Sequence, residues 1–335
     1  LKFLDTDLPK NQEDKFSTIL KIMGAPDQYK TQSNGIGSGK STNNKVGIIS
    51  KSNRKDIDID YLFCQITPNL NFIDIKPNCG NFIAAVPFYA IFKGLIGIKN
   101  SETKVRIFNI NTNQVIHAKV LTDKNGIITN GSTVISGVTG RFSEIQLEFF
   151  NIVGSKTNKL FPTGNKIDII NGVETSILDV SVPMVIVNGD DLGVNSDTDL
   201  KLLRNPDFIA RLHELRQNAA DLFDFGDISN SVIPKLSIVC KSANYDIKSF
   251  YYDPFTLHDS HAITGATCLA SACLLDGTVP YKISKLTPKK GENKINIEHI
   301  SGFINAIINF NLATVNSASF IRTASILMDG TAFVY

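Results

Sequence analysis

Asn78-Cys79-Gly80-Asn81 is the stretch of this chain best equipped for chemistry. It opens the most apolar segment, residues 82–98, which has the length and composition of a buried helix. A thiol at the first turn of a helix faces the positive end of the helix dipole, which favours the thiolate. Asn78 and Asn81 flank it with amide donors, and Gly80 lets a ligand approach backbone N–H groups closely. The competing reading is a packed structural cysteine, which leaves Asn-Cys-Gly-Asn at a helix start unexplained. Lys45 stands between a polar loop and the apolar strand 46–49. It is either a solvated strand-end residue or, if desolvated, an amine able to act as a base.

His258 and His261 lie three apart beside Asp259, but no third ligand set accompanies them, so zinc has little support. His261 is better read as a cationic or hydrogen-bonding contact to an anion, and Arg322 as a fork onto a carboxylate; an ordinary surface role is the alternative for each. Gly35-Ile36-Gly37-Ser38-Gly39-Lys40-Ser41-Thr42 imitates a phosphate-binding loop. The motif requires glycine where Asn34 stands, and the residues upstream, 29–33, are polar rather than a buried strand. The loop's amides could still cradle a carboxylate. Cys240, Cys268 and Cys273 read as packing residues, and no Gly-x-Ser-x-Gly elbow supports hydrolase chemistry.

These residues need elements to position them. Residues 11–23 have helical spacing, with Phe16, Ile19, Leu20 and Met23 on one face and Gly24-Ala25-Pro26-Asp27 as the stop. Strands are predicted at 46–50, 57–65, 72–75, 103–110, 114–121, 145–150, 175–187 and 235–239, with a further helix at 207–220. A second buried helix follows Ser260-His261-Ala262-Ile263-Thr264-Gly265-Ala266 and ends at Gly277, as the first ends at Gly94. The shared entrance, a short polar residue, a glycine and then an apolar run, is a weak internal repeat. It suggests two similar halves, each a curved sheet wrapped around a central helix.

At 335 residues the chain is long enough for two domains or one large one. With 42% hydrophobic and 20% charged residues, and with 21 Phe and 8 Tyr, it is not a disordered chain. Lys and Arg (34) nearly balance Asp and Glu (32), and no basic cluster recurs with interleaved aromatics, so a nucleic-acid platform is not expected. The apolar run 82–92 contains Pro87 and falls well short of the ~20 residues that span a bilayer. Five scattered cysteines without a CxxC pair favour a reducing, cytoplasmic setting over structural zinc. No signal peptide opens the sequence, and a first residue of Leu1 rather than Met predicts that it begins inside a longer chain.

Asp7-Leu8-Pro9, Met23-Gly24-Ala25-Pro26-Asp27, Lys45-Val46-Gly47-Ile48, Asp60-Tyr61-Leu62-Phe63, Pro77-Asn78-Cys79-Gly80-Asn81, Leu160-Phe161-Pro162-Thr163-Gly164, Val182-Pro183-Met184-Val185-Ile186-Val187, His261-Ala262-Ile263-Thr264-Gly265-Ala266 and Arg322-Thr323-Ala324 occur in that order. Together they resemble the PrpF family of 2-methylaconitate cis-trans isomerases, methylitaconate Δ-isomerases and 4-oxalomesaconate tautomerases, over essentially the whole chain. The resemblance implies an α+β fold of two pseudo-symmetric diaminopimelate-epimerase-like domains with the active site in the cleft between them. The halves would be residues 1–112, with a strand from 318–335 returning to them, and 113–317. It also implies a cofactor-free isomerase of small unsaturated di- or tricarboxylates, with no nucleic acid or membrane partner, and it is compatible with a homodimer.

By the same resemblance the catalytic lysine and cysteine fall on Lys45 and Cys79. Substrate contacts fall on Ser41, Asn78, Gly80, Asn81, His261, Thr264, Gly265, Ala266, Ser301 and Arg322. In the related epimerases both helix entrances carry a cysteine; here the second carries Thr264. The family's Arg-Gly-Gly-Thr-Ser-Lys-Gly stretch, expected just before Leu1, is not in this sequence, and Asn43-Asn44 stand where Thr-Ser is expected. The expected reaction is an allylic proton transfer through a dienolate. Lys45 would take the proton and Cys79 return it, or the reverse, or one residue would do both. The first substrate expected is 2-methylaconitate, in propionate catabolism through 2-methylcitrate; methylitaconate and 4-oxalomesaconate are the alternatives. A carboxylate-binding accessory protein that has lost turnover is the reading of another class.

Overall fold

The computed structural model describes residues 1–39, 43–75, 79–135, 138–229, 231–253, 255–284 and 286–334. The chain divides into two compact units. The first is Leu1–Ile135, Thr139–Glu148 and Arg322–Tyr335, and the second is Ser136–Val138 and Phe149–Ile321. The division therefore falls well beyond residue 112. The reason is the antiparallel hairpin of residues 101–123, whose ends pair as Ser101 with Thr122; a cut at 112 would split it.

In the first unit, β1 (Lys2–Leu4) precedes α1 (Gln12–Met23). Asn11 caps α1 by accepting from Glu13 N–H, and Gly24 ends it at φ 73. β2 (Lys45–Lys51), β3 (Ile59–Ile66) and β4 (Ile73–Asp74) form an antiparallel set. Ile19, Leu20 and Met23 of α1 pack on Val46, Ile48, Cys64 and Ile66. α2 (Gly80–Ile83) and α3 (Ala85–Phe92) follow, then β5 (Ser101–Asn109), β6 (Gln114–Asp123), β7 (Gly126–Ile127) and β8 (Ile145–Phe150). The long helix expected over 82–98 is thus two shorter ones. Pro87 has no N–H to return to the Ile83 carbonyl, and the chain steps at Ala84 between them. Gly94, at φ 71, closes the segment.

In the second unit β9 (Asp168–Ile170), β10 (Val173–Val180) and β11 (Val182–Asn188) form successive antiparallel pairs. The single strand expected over 175–187 is folded back on itself at Ser181, whose φ of 68 makes the turn that pairs Val180 with Val182. α4 (Leu200–Leu203) and α5 (Pro206–Asp221) lead into β12 (Lys235–Cys240), β13 (Ile247–Asp253) and β14 (Thr256–Leu257). Then come α6 (Ile263–Ala272), α7 (Val279–Ser284), β15 (Gly291–His299), β16 (Gly302–Phe310) and β17 (Val315–Arg322). α6 is buried from Gly265 to Ala272, packed on Leu178, Val180, Met184, Ile186, Ile295, Ile297 and Ala306. α5 covers the other sheet face through Leu212, Leu215 and Ala219 against Ile177, Val185, Val187, Leu236 and Ile238.

The two units repeat one plan. Each has a helix (α1, α5), an antiparallel strand pair (β2–β3, β12–β13), a short strand, a buried helix, and then a hairpin (β5–β6, β15–β16). The first strand of the hairpin pairs parallel to the second strand of the earlier pair: Ile59 lies opposite Ile107 and Ile247 opposite Ile297. Even the clamp is repeated. Asp58 accepts from Arg106 N–H at 2.8 Å and Asp246 from Asn296 N–H at 2.7 Å, while each aspartate's own N–H donates to the carbonyl of the same partner. Among the described residues no helix is long and apolar enough to cross a membrane.

Each clamp carboxylate holds a backbone amide at the start of a parallel pair. Asp58→Ala and Asp246→Ala should each lower unfolding free energy by roughly 1–3 kcal/mol, with Asn recovering part of the loss. Urea unfolding checks this, and an unchanged midpoint in both Ala variants would remove the clamps from the account.

Candidate active site

Lys45 is the first residue of β2, paired with Gln65 of β3. Of the polar loop before it, the described residues 31–39 and Asn44 are tied together by Gln32, which is buried at φ 55. Gln32 Nε2 donates to Met23 O (2.8 Å) and to Asn44 Oδ1 (2.7 Å), and its Oε1 accepts from Gly39 N–H (2.8 Å). The buried Asn44 in turn accepts at its carbonyl from Ile66 N–H and Gln65 Nε2. Gly35 and Gly37 N–H donate to Gln32 O and Met23 O. The amides that imitated an anion-binding loop are therefore spent on the protein itself at Gly35, Gly37 and Gly39.

Cys79 caps α2 in extended geometry (φ −131, ψ 102), and its carbonyl accepts from Phe82 and Ile83 N–H. The helix it caps has four residues, so its dipole is that of a short turn rather than of a long buried helix. A nearby cation acts on the sulfur directly: Lys45 Nζ lies 3.5 Å from Cys79 Sγ, both side chains half-buried. At that distance a proton can pass from a thiol to an amine, or from an ammonium to a thiolate. Gly80 is the first residue of α2, and the exposed Asn81 accepts at Oδ1 from Arg322 Nε at 2.9 Å. Burial pushes the Arg322 guanidinium down to about 10, and it remains a cation at neutral pH. Ser41 and Asn78 lie outside the described residues.

The first unit thus brings together Lys45 with Cys79, and Asn81 with Arg322. A third cation had no signal in the sequence, where a lone lysine near a strand start reads as solvated. Lys2 Nζ stands 3.7 Å from the centroid of the Phe82 ring. Phe82 also stacks on Tyr61 (6.4 Å) and meets Phe63 edge-on (5.5 Å). Among the described residues the buried Tyr61 hydroxyl has no hydrogen-bond partner, and burial together with Cys79 and Cys64 pushes its ionisation upward.

The remaining predicted contacts gather around the start of α6 in the second unit. His261 is not a surface cation. It is buried against Tyr251 (ring centroids 4.3 Å), with Nδ1 against Ala262 O and Nε2 against Ser249 Oγ, each at 3.1 Å. Burial pushes it down to about 3, so the imidazole is neutral at physiological pH; the hydrogen-bonding half of the expectation is spent on Ser249 and Ala262. Thr264 is exposed on the first turn of α6. Gly265 sits where a Cβ would meet Tyr251 Cε2 at 2.5 Å. Ala266 is core, and Ser301 is exposed with its N–H donating to Asp259 O. His258 Nδ1 accepts from Ser260 N–H, and no group of three metal-ligating side chains occurs among the described residues. The repeat's counterpart of Lys45, the first residue of β12, is Lys235, which is ion-paired with Asp253; no thiol stands at the α6 entrance.

The PrpF protein family model matches residues 1–335. The chain is 35% identical over 333 residues to YbhH of Escherichia coli (strain K12), named as an isomerase without a substrate, covering 98% of this chain and 93% of that protein. It is 33% identical over 337 residues to the (4E)-oxalomesaconate Delta-isomerase of Novosphingobium sp. (strain KA1), covering 99% and 93%. The crystal structure of a methylitaconate-delta-isomerase superposes with a TM-score of 0.90 at 27% identity, covering 99% of this chain and 92% of that one.

Two outcomes follow from these environments. Cys64, Cys240, Cys268 and Cys273 are buried, which pushes their thiols up to about 12, 11, 12 and 12. Iodoacetamide at neutral pH should therefore label the half-buried Cys79 first, as peptide mapping by mass spectrometry will show; earlier labelling of another cysteine would contradict the geometry. His261 gives a pH dependence. Between its ordinary value of 6.5 and about 3 the unfolded chain binds a proton that the folded chain refuses, so stability is lost as pH falls through that window. The slope approaches ~1.4 kcal/mol per pH unit. Urea midpoints at pH 7.0 and 5.5 should converge in His261→Gln relative to the unsubstituted protein.

Proposed function

The chain belongs to the PrpF family and is an isomerase; from that premise we propose that it moves the double bond of a small unsaturated polycarboxylate by allylic proton transfer between Lys45 and Cys79. The observation that carries the proposal is the 3.5 Å contact from Lys45 Nζ to Cys79 Sγ, beside an Arg322 held on Asn81 two residues further along.

The step balances within that pair. With the pair as amine and thiol, Lys45 Nζ takes a proton from the carbon allylic to a carboxylate, and the C–H electrons spread through a dienolate onto carboxylate oxygens. Cationic side chains stabilise that charge as it develops. Cys79 then gives its proton to the carbon at the far end of the allyl system, forming the new C–H bond as the double bond settles in its new place. The ammonium returns a proton to the thiolate across the 3.5 Å contact and resets the pair. With the pair as ammonium and thiolate, the same cycle runs with the roles exchanged, so one pair serves both directions of a reversible reaction.

2-Methylaconitate is the first substrate on this reading. Oxalomesaconate is the second, supported by the 33% identity to an oxalomesaconate isomerase, and methylitaconate the third, supported by the fold match to a methylitaconate isomerase.

Lys45→Ala and Cys79→Ser should each lower kcat about 10²–10⁴-fold, with thermal unfolding near that of the unsubstituted protein. The assay is NMR in D₂O on a panel of the three acids, reading both isomerisation and deuterium uptake at the allylic positions. Ordinary turnover in well-folded Lys45→Ala would remove this lysine from the mechanism. Absence of exchange and isomerisation with every acid in the unsubstituted protein would favour a carboxylate-binding accessory protein.

A further inference from the structure

Lys2 lies opposite Gly47, because β1 runs parallel to β2. Gly47 has no side chain, and a Cβ there would stand 2.9 Å from Phe82 Cε1 and 3.1 Å from Tyr61 Cε2. That gap admits the Phe82 ring over the strand, and the Lys2 ammonium sits on the ring face at 3.7 Å. An aromatic face attracts a cation without using its N–H donors as a carboxylate would. What faces the Lys2 charge is this ring, the Cys79 sulfur and the Leu1 amino group, with no carboxylate among the described residues. Burial pushes Lys2 down to about 8, and Cys79 draws it back up, so at neutral pH it is still mostly charged. A poorly hydrated ammonium without a counter-charge is a site that favours an anion.

Three cations from three separate segments therefore address the short run Cys79–Phe82. Lys45 meets Cys79, Arg322 meets Asn81 and Lys2 meets Phe82. We propose that Lys2 receives a third carboxylate, so that this site selects tricarboxylates over dicarboxylates. The inference rests on the isomerase reading above and narrows its substrate class. One carboxylate conjugated to the reacting carbons carries the dienolate charge near Lys45, a second lies toward Arg322, and the third lies on Lys2. A dicarboxylate leaves Lys2 without an anionic partner from the ligand, and so gains nothing from it.

Saturated acids test this without turnover, since they have no allylic hydrogen. Calorimetry at pH 7 compares propane-1,2,3-tricarboxylate with glutarate. The unsubstituted protein should bind the tricarboxylate at least tenfold more tightly. Lys2→Met should reduce that margin below threefold, and Lys2→Arg should keep most of it. Lys2→Gln is the second neutral variant if Lys2→Met does not fold, and should both fail to fold, the margin in the unsubstituted protein decides. No margin there, or a margin unchanged in a folded neutral variant, overturns the proposal. Because the readout is binding, its failure is distinct from failure of the isomerase reading, which the D₂O panel reports.

Discussion

A proton can pass between Lys45 and Cys79 only if two atoms from segments more than thirty residues apart stay within 3.5 Å. Much of the first unit serves that constraint. On the lysine side, pairing with Gln65 fixes the start of β2, and Gln32 holds Asn44, the residue just before Lys45. Gln32 holds a left-handed backbone at φ 55, a strained conformation for a residue with a side chain, and its three hydrogen bonds offset that cost. On the cysteine side, α2 and α3 are anchored by Ile83, Val86, Phe88 and Ile91 in the core, so the turn carrying Cys79 has little freedom to drift.

The second unit repeats the scaffold without repeating the lysine–cysteine contact. Its strand also begins with a lysine, but Lys235 is neutralised by Asp253, and the entrance of α6 offers Thr264 in place of a thiol. The histidine that looked like an anion contact is a neutral brace between Tyr251 and Ser249. A duplicated fold thus keeps the same hydrogen-bonded frame in both halves, while among the described residues the first sets its strand-start lysine 3.5 Å from a thiol and the second pairs its own with a carboxylate.

The parts of this design with local signals were readable in advance. α1, α5 and β12 follow from spacing and caps, and the entrances at Gly80 and Gly265 pointed to the repeat. The hairpin of β15 and β16 lies outside the predicted strands, although Ile295, Ile297, Ile304, Ala306 and Ile308 alternate with polar or less buried positions as half-buried strands do. Nothing in the residue type of Ser181 announces a left-handed turn between Val180 and Val182. Lys45 and Cys79 were singled out for their surroundings, yet their contact depends on how β2 and α2 are brought together and has no signature in spacing. Lys2 was invisible for the same reason: its environment is made by Gly47 and by Phe82, eighty residues away.

The bond from Arg322 to Asn81 spans 241 residues. During synthesis, at about 5–20 residues per second, the Cys79 turn waits on the order of ten seconds or more for the arginine that braces it. The sheet, α1 and the Lys45–Cys79 contact are all encoded earlier and have no such delay. A chain interrupted between Asn81 and Arg322 carries β1 to β4 and the residues of the Lys45–Cys79 contact but lacks this guanidinium. The guanidinium beside Cys79 is thus supplied by a residue made 241 positions after the asparagine that holds it.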